Sequence, residues 1–228
     1  MQKVTGENIL SNSNWSKKEL IIILSVIIIF LAILLFLLKI LNLDIIYSSI
    51  IFDTGFFLVT LFLFVYFLRN KNYSFFTPNI SFKWFLISLL LFIFVVIVGG
   101  KLSELLSIFL NIKNDSISKE LLSDNLWLNI LQFKILTSLL VPITEELIFR
   151  GLIFKFIRQY RGFIFSAVIS SLIFGILHFN IAIIPFVFLL GFVNSFMLEK
   201  TNSLFYPIII HALVNSVAAS MFFYTNII

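Results

Sequence analysis

The sequence predicts an all-α, polytopic membrane helix bundle. Of its 228 residues, 61% are hydrophobic and only 12% are charged. Soluble domains carry about 45–50% apolar and about 25% charged residues. The mean hydropathy is +1.12, and apolar runs recur at close to the roughly 20 residues that cross a bilayer. This composition excludes a water-soluble globule, and also a disordered chain, which needs low hydrophobicity with high net charge. The length suits about seven spans, with six to eight as the range.

Each element follows from local composition. Residues 1–16 are polar and read as a tail. Lys17 and Lys18 then precede the first span, Leu20–Leu38, which is too long for a signal-peptide core and lacks a small-residue cleavage site. The second span covers Ile45–Leu68 and ends at Arg69 and Lys71. The third covers Trp84–Val98, after a Thr77-Pro78-Asn79 turn. Residues 101–126 mix Lys101, Glu104, Lys113, Asp115, Lys119, Glu120 and Asp124 with leucines and isoleucines. That pattern predicts an amphipathic helix in the interface, with a surface loop as the alternative. A fourth apolar stretch starts at Trp127 and passes through Pro142. Phe163–Phe179, Ile181–Leu198 and Leu204–Tyr224 complete the seven. The chain divides into residues 1–126, the leading helices and interfacial segment, and residues 127–224, which hold the chemistry.

The formal net charge is +5, and its distribution orients the bundle rather than pointing to nucleic acid. With the N-terminus inside, Lys3, Lys17, Lys18, Arg69, Lys71, Lys83, Arg150, Lys155, Arg158, Arg161 and Lys200 face the cytoplasm. Lys39, Lys101, Lys113, Lys119 and Lys134 face outward, offset by Asp44, Glu104, Asp115, Glu120 and Asp124. The positive-inside rule therefore favours an N-in, C-out cell-membrane protein. There is no cysteine, which removes disulfides, thiolate ligands and a cysteine nucleophile.

Ionisable groups inside membrane helices are costly and are functional candidates by default. Here they gather in the last 90 or so residues: Glu145, Glu146, Arg150, His178 and His211, with Asn215 beside them. Glu146 and Arg150 stand at i and i+4 and can pair on one helix face. Glu145 projects about 100° away and is left free. A snorkelling ion pair is the plain alternative. If two helices meet at the Arg161-Gly162 turn, Glu145 and His178 come to equal depth, each about 24 Å from it. His211 and Asn215 share a helix face, so Asn215 can orient His211 or donate to an oxyanion. Ser170, Asn194 and Ser195 read as packing or hydrogen-bonding positions. A carboxylate, two imidazoles and an amide suffice to activate water and stabilise a tetrahedral oxyanion. Glu145, His178 and His211 also match a hydrolytic zinc ligand set. HExxH, a phosphate-binding loop and GxSxG are absent.

Three motifs in order, Glu145-Glu146-x-x-x-Arg150, Phe174-x-x-x-His178 and His211-x-x-x-Asn215, resemble those of the CPBP intramembrane proteases. This family comprises the type 2 CAAX prenyl proteases and their bacterial, Abi-type relatives. The resemblance covers residues 127–224 and implies hydrolysis of a peptide bond within the bilayer, in a cavity reached from the cytoplasmic side. It implies that Glu145 polarises the attacking water with His178 as partner base. Glu146 would pair structurally with Arg150, and His211 and Asn215 would stabilise the oxyanion. The family has been read both as zinc-dependent and as glutamate-dependent, and the sequence leaves both open. The implied partners are a peptide or membrane-protein substrate and lipid, with roles in bacteriocin immunity, peptide maturation or resistance. A non-enzymatic immunity or regulatory protein that binds a toxin or sensor is the alternative. A transporter fits less well, because the polar residues form one cluster and no inverted repeat is evident.

Overall fold

A computed structural model describes residues 15–43, 45–68, 81–112, 131–132 and 134–227. The described residues form seven helices and no strand. Helix α1 is Lys17–Leu41, α2 Ile45–Leu68 and α3 Phe82–Phe109. Helix α4 spans 136–158, α5 is Phe163–Ile176, α6 Ile184–Thr201 and α7 Phe205–Ile227. The chain is a multi-pass, all-α membrane protein.

Helix α1 starts cleanly because Ser16 and Glu19 form a capping box: the Ser16 hydroxyl accepts from the Glu19 N–H, and the Glu19 carboxylate accepts from the Ser16 N–H. It stops at Asn42, which takes the left-handed conformation at φ 48°. Among the described residues, four helices are long and apolar enough to cross a bilayer: Lys17–Leu41, Tyr47–Leu68, Phe82–Phe109 and Ile181–Thr201. Helix α5 is shorter, at 14 residues, or about 21 Å. Helix α4 carries the buried charges.

Two expectations need correction. The third helix does not stop at Val98, and residues 101–109 are not a separate interfacial helix. The helix continues through a π-helical stretch, Val95–Gly99, to Phe109. Lys101 and Glu104 therefore pair across one exposed turn at its end, at 2.6 Å. Gly99, at the end of the π-helical stretch, lets Phe186 of α6 approach closely, since an added Cβ would fall 2.9 Å from its ring. The remainder of the expected amphipathic segment, the Thr77-Pro78-Asn79 turn and the start of the fourth stretch lie outside the described residues. The second correction concerns α5, which ends at Ile176 rather than Phe179. His178 thus stands in the turn beyond the helix, not within it.

The core lies among α4, α5, α6 and α7, where Leu147, Leu152, Phe154, Phe174, Met197 and Ile210 are fully enclosed. Trp15, just ahead of α1, is buried against this core. Its indole N–H donates to the Gly151 carbonyl at 2.8 Å, and its ring meets Phe64 edge-on. The tail-end residue is thereby fastened to α4.

Candidate active site

Helix α4 is unusually wound. It is π-helical over Leu136–Leu140 and Leu147–Phe154, with Glu145 and Glu146 on the short α-helical piece between. Wide π turns mark functional positions in many proteins because they displace side chains and re-route carbonyls. The cause of the first stretch can be read from the sequence. In an i to i+5 pattern the Thr137 carbonyl would accept from residue 142, but Pro142 has no N–H. Asn215 of α7 supplies a donor instead, its amide Nδ2 reaching the Thr137 oxygen at 2.9 Å. In the second stretch the Gly151 carbonyl takes Trp15. Each π stretch thus offers a carbonyl to a side chain far away in sequence.

Glu146 is wholly enclosed, and its surroundings explain how a carboxylate tolerates that. Arg150 stands 3.3 Å from its Oε2, both side chains at 0% exposure. Asn194 of α6 donates to Oε1 at 2.8 Å, and His211 Nδ1 lies at the same distance from that oxygen. A carboxylate only accepts, so Nδ1 carries the hydrogen. The Arg150 guanidinium lies over the Phe174 ring, 4.5 Å from its centre, a cation–π contact strengthened by exclusion of water. Gly191 of α6 is required here. A Cβ at that position would fall 2.8 Å from Arg150 Nη2 and from the Ser171 hydroxyl.

Glu145 turns the other way, as its 100° rotation predicts, and keeps 18% of its side chain exposed. His211 Nε2 is 3.4 Å from its Oε2. One imidazole therefore spans two adjacent carboxylates. It links an enclosed one, already neutralised by Arg150, to a half-open one that Arg150 does not pair with.

His178 approaches from the end of α5. Its Nδ1 lies 2.8 Å from the Phe174 carbonyl, so Nδ1 is the donor and Nε2 is left with its lone pair. The Phe174 ring separates the two histidines, meeting His178 edge-on at 4.8 Å and His211 at 5.7 Å. The turn past His178 is held in an uncommon shape: Phe179 takes φ 51°, rare for a bulky residue, and Asn180 caps the following turn through its side chain. Glu145 and His178 share no hydrogen bond or ion pair among the described residues. Likewise, no three His, Asp or Glu side chains among the described residues are grouped to hold a metal ion. In this arrangement the Glu145, His178 and His211 set does not fit one.

Asn194, read as a packing or hydrogen-bonding position, holds the enclosed carboxylate by a hydrogen bond. Sequence reasoning missed two further residues. Gly191 makes room for Arg150. Asp53, in the first half of α2, is a half-buried carboxylate whose charge and that of Glu145 repel, on a helix packed against the Val141–Glu146 part of α4. Its signal was present, since an aspartate inside an apolar run is itself costly.

Comparison with known proteins points to the same stretch of the chain. Residues 127–217 match the model of the family described as type II CAAX prenyl endopeptidase, Rce1-like. Over that segment the chain is similar to the Rce1-like, CPBP-type family. It is 34% identical over 87 residues to the Bacillus subtilis (strain 168) protein named "Putative membrane peptidase YdiL", covering 38% of this chain and 36% of that one. It is 36% identical over 89 residues to "Membrane-embedded CAAX protease MroQ" of Staphylococcus aureus (strain USA300), covering 36% of each. The chain spans about a third of the length of these curated relatives. No solved structure matches it. The Rce1-like segment contains every residue of the three motifs, Glu145 to Asn215.

Proposed function

We propose that the chain is an intramembrane endopeptidase that hydrolyses a peptide bond of a peptide or membrane-protein substrate with a glutamate-activated water. Residues 127–224 form its proteolytic core on this reading, and residues 1–126 flank it. The observation that carries the proposal is the pair of neighbouring carboxylates with opposite fates. Glu146 is locked by Arg150, Asn194 and His211, while Glu145 faces out with His211 Nε2 at 3.4 Å. The first is an anchor and the second is a base.

The steps follow from the donors and acceptors present. Glu145 takes a proton from a water in the open part of the site, and the resulting hydroxide adds to the scissile carbonyl. The developing oxyanion needs donors placed where its charge appears. His211 keeps its Nδ1 hydrogen on Glu146, so its Nε2 donates when the ring is the imidazolium. Asn215 has two N–H bonds, one spent on Thr137, which fixes the amide plane and leaves the other to donate. Glu145, now carrying the proton, returns it to the leaving amine as the carbon–nitrogen bond breaks. His178, with its free Nε2, serves as the second proton carrier. Its place in a turn lets it close on the substrate.

The test is direct. Glu145→Ala and His178→Ala, made separately, should each lower cleavage by about 10²–10⁴-fold at unchanged expression. If both variants cleave like the wild type, hydrolysis at this site is refuted.

The charge pattern supports an N-in orientation, with the α4–α5 turn on the cytoplasmic face. Arg158 of that turn makes a two-pronged pair with Glu199 of α6, at 2.9 Å at its shortest. His178 is at the opposite end of α5. In an N-in chain the site thus lies toward the outer half of the bilayer, whereas cytoplasmic access requires the reverse orientation. The chain has no native cysteine, so labelling of single cysteines at positions 161 and 179 by an impermeant maleimide distinguishes the two.

A further inference from the structure

The proposed mechanism leaves Asp53 unused, and its situation is unlike that of the other buried charges. Arg150 has Glu146 and Arg158 has Glu199. Asp53 has no salt-bridge or hydrogen-bond partner among the described residues, although it lies inside an apolar helix where an unpaired carboxylate is expensive. It also repels Glu145. A purely structural residue there would be better apolar, because replacing an unpaired buried charge removes its desolvation cost.

Asp53 opens onto a groove of about 500 Å³ between the end of α1 and the start of α2. Leu35, Leu38 and Phe52 form its apolar wall, and Asn42, Ser48 and Ser49 its polar one. Lys39 also lines it, but its side chain is exposed at the rim, and no ion pair joins it to Asp53. The groove therefore runs from the end of the α1–α2 hairpin to Asp53, on a helix that packs against the Val141–Glu146 part of α4. It combines an apolar surface, hydroxyl and amide groups, and an unpaired carboxylate.

We propose that this groove receives the substrate peptide and that Asp53 selects a lysine or arginine side chain near the scissile bond. The inference rests on the endopeptidase reading and names the substrate class for it. A cationic side chain in the groove would relieve the repulsion between Asp53 and Glu145 and supply the missing partner. Its long apolar stem would lie along Leu38 and Phe52.

The experiment uses the full-length chain in detergent micelles and a fluorescent apolar peptide carrying Lys, norleucine or Glu at one position moved along its length. Binding is read by anisotropy on wild type and on Glu145→Gln, and cleavage on wild type. At one position the Lys peptide should bind at least about tenfold tighter than the norleucine peptide. Asp53→Asn should abolish that preference while leaving norleucine binding unchanged, which also serves as the folding control. Asp53→Lys should turn the preference toward Glu. No preference in the wild type at any position, or a preference that persists in Asp53→Asn, overturns the proposal. Selective binding without cleavage would instead refute the hydrolase reading and leave the selectivity standing.

Discussion

Helices α1 and α6 are both long enough to span a bilayer, yet they are built in opposite ways. The most apolar window of α1 has a hydropathy of 3.6 with 11% of its residues buried inside the protein, against 2.3 and 50% for the helix ending at Thr201. Hydropathy is thus highest where the protein packs least. Helix α1 touches chiefly α2 and shows its isoleucines and leucines outward, among them Ile21, Ile28 and Leu41. Lipid tails are as apolar as leucine, so such a helix gains little by packing in a membrane. Helix α6 instead turns Gly191, Asn194 and Ser195 into the core. Small residues bring backbones close, and polar ones bond across helices. The apolar helices mark the membrane. The chemistry lies where hydropathy falls.

The sharpest test of this contrast breaks the enclosed pair. Arg150→Ala leaves Glu146 charged and enclosed, which should cost about 3–5 kcal/mol and reduce the amount of folded protein. Lys101→Ala in α3, which breaks an exposed pair at 72% and 55% exposure, should change stability very little. Unfolding in mixed micelles reads both. Equal effects would mean that the two regions are stabilised alike.

Glycines give the next contrast, because the two regions should respond with opposite signs. Gly191→Ala drives a Cβ to within 2.8 Å of Arg150 Nη2 and 2.9 Å of the Ser171 Cβ. Over-packing of this kind costs about 1–3 kcal/mol. Gly100 in α3 has nothing within 4 Å of an added Cβ. Alanine there should stabilise the helix by about 0.5–1 kcal/mol. The same unfolding assay decides both. A destabilising Gly100→Ala would show that the α3 pitch change depends on that glycine.

These contrasts also show how far the sequence could be read. The seven helices were legible because apolar runs are long and their ends are punctuated: Ser16 and Glu19 at the start of α1, Asn42 at its end, Gly162 before α5. The Glu146–Arg150 pair was legible from its spacing, since i and i+4 residues share a face. His211 beside the two glutamates followed only from grouping rare polar residues, because no local rule brings together residues 65 positions apart. The winding of α4 was not legible as a pattern. Hydrophobic periodicity barely distinguishes π from α turns, and only Pro142 hinted at it. The third helix was ended too early because Lys101 and Glu104 read as interfacial, although two charges at a helix terminus can pair with each other in water. Asp53 was overlooked because one aspartate scarcely lowers the mean of a long apolar window.

Asn215 and Trp15 provide a finer test, because both donate to carbonyls of the π stretches. Asn215→Ala removes the side-chain donor from the Thr137 carbonyl, and a net hydrogen bond is worth about 0.5–1.5 kcal/mol. Asn215→Asp should be no better, since a carboxylate cannot donate. If Asn215 also donates to the oxyanion, both variants lose more catalytic rate than stability, and the split between kcat and KM separates the two roles. A fall in stability alone would leave Asn215 as a brace for the π turn.

The smallest effect belongs to the attachment of α1. Trp15→Phe keeps an aromatic ring against Phe64 but removes the 2.8 Å indole bond to the Gly151 carbonyl. A net hydrogen bond is worth about 0.5–1.5 kcal/mol. The informative quantity is where that loss appears. Helix α1 has few other contacts with the α4–α7 core, so hydrogen exchange should rise in residues 15–20 and leave α6 and α7 protected. Trp15→Ala should extend the loosened region along α1 toward the Asp53 groove. Exchange that rises uniformly across α4–α7 would show instead that the tail-end tryptophan supports the whole core, and that the two regions share one cooperative unit.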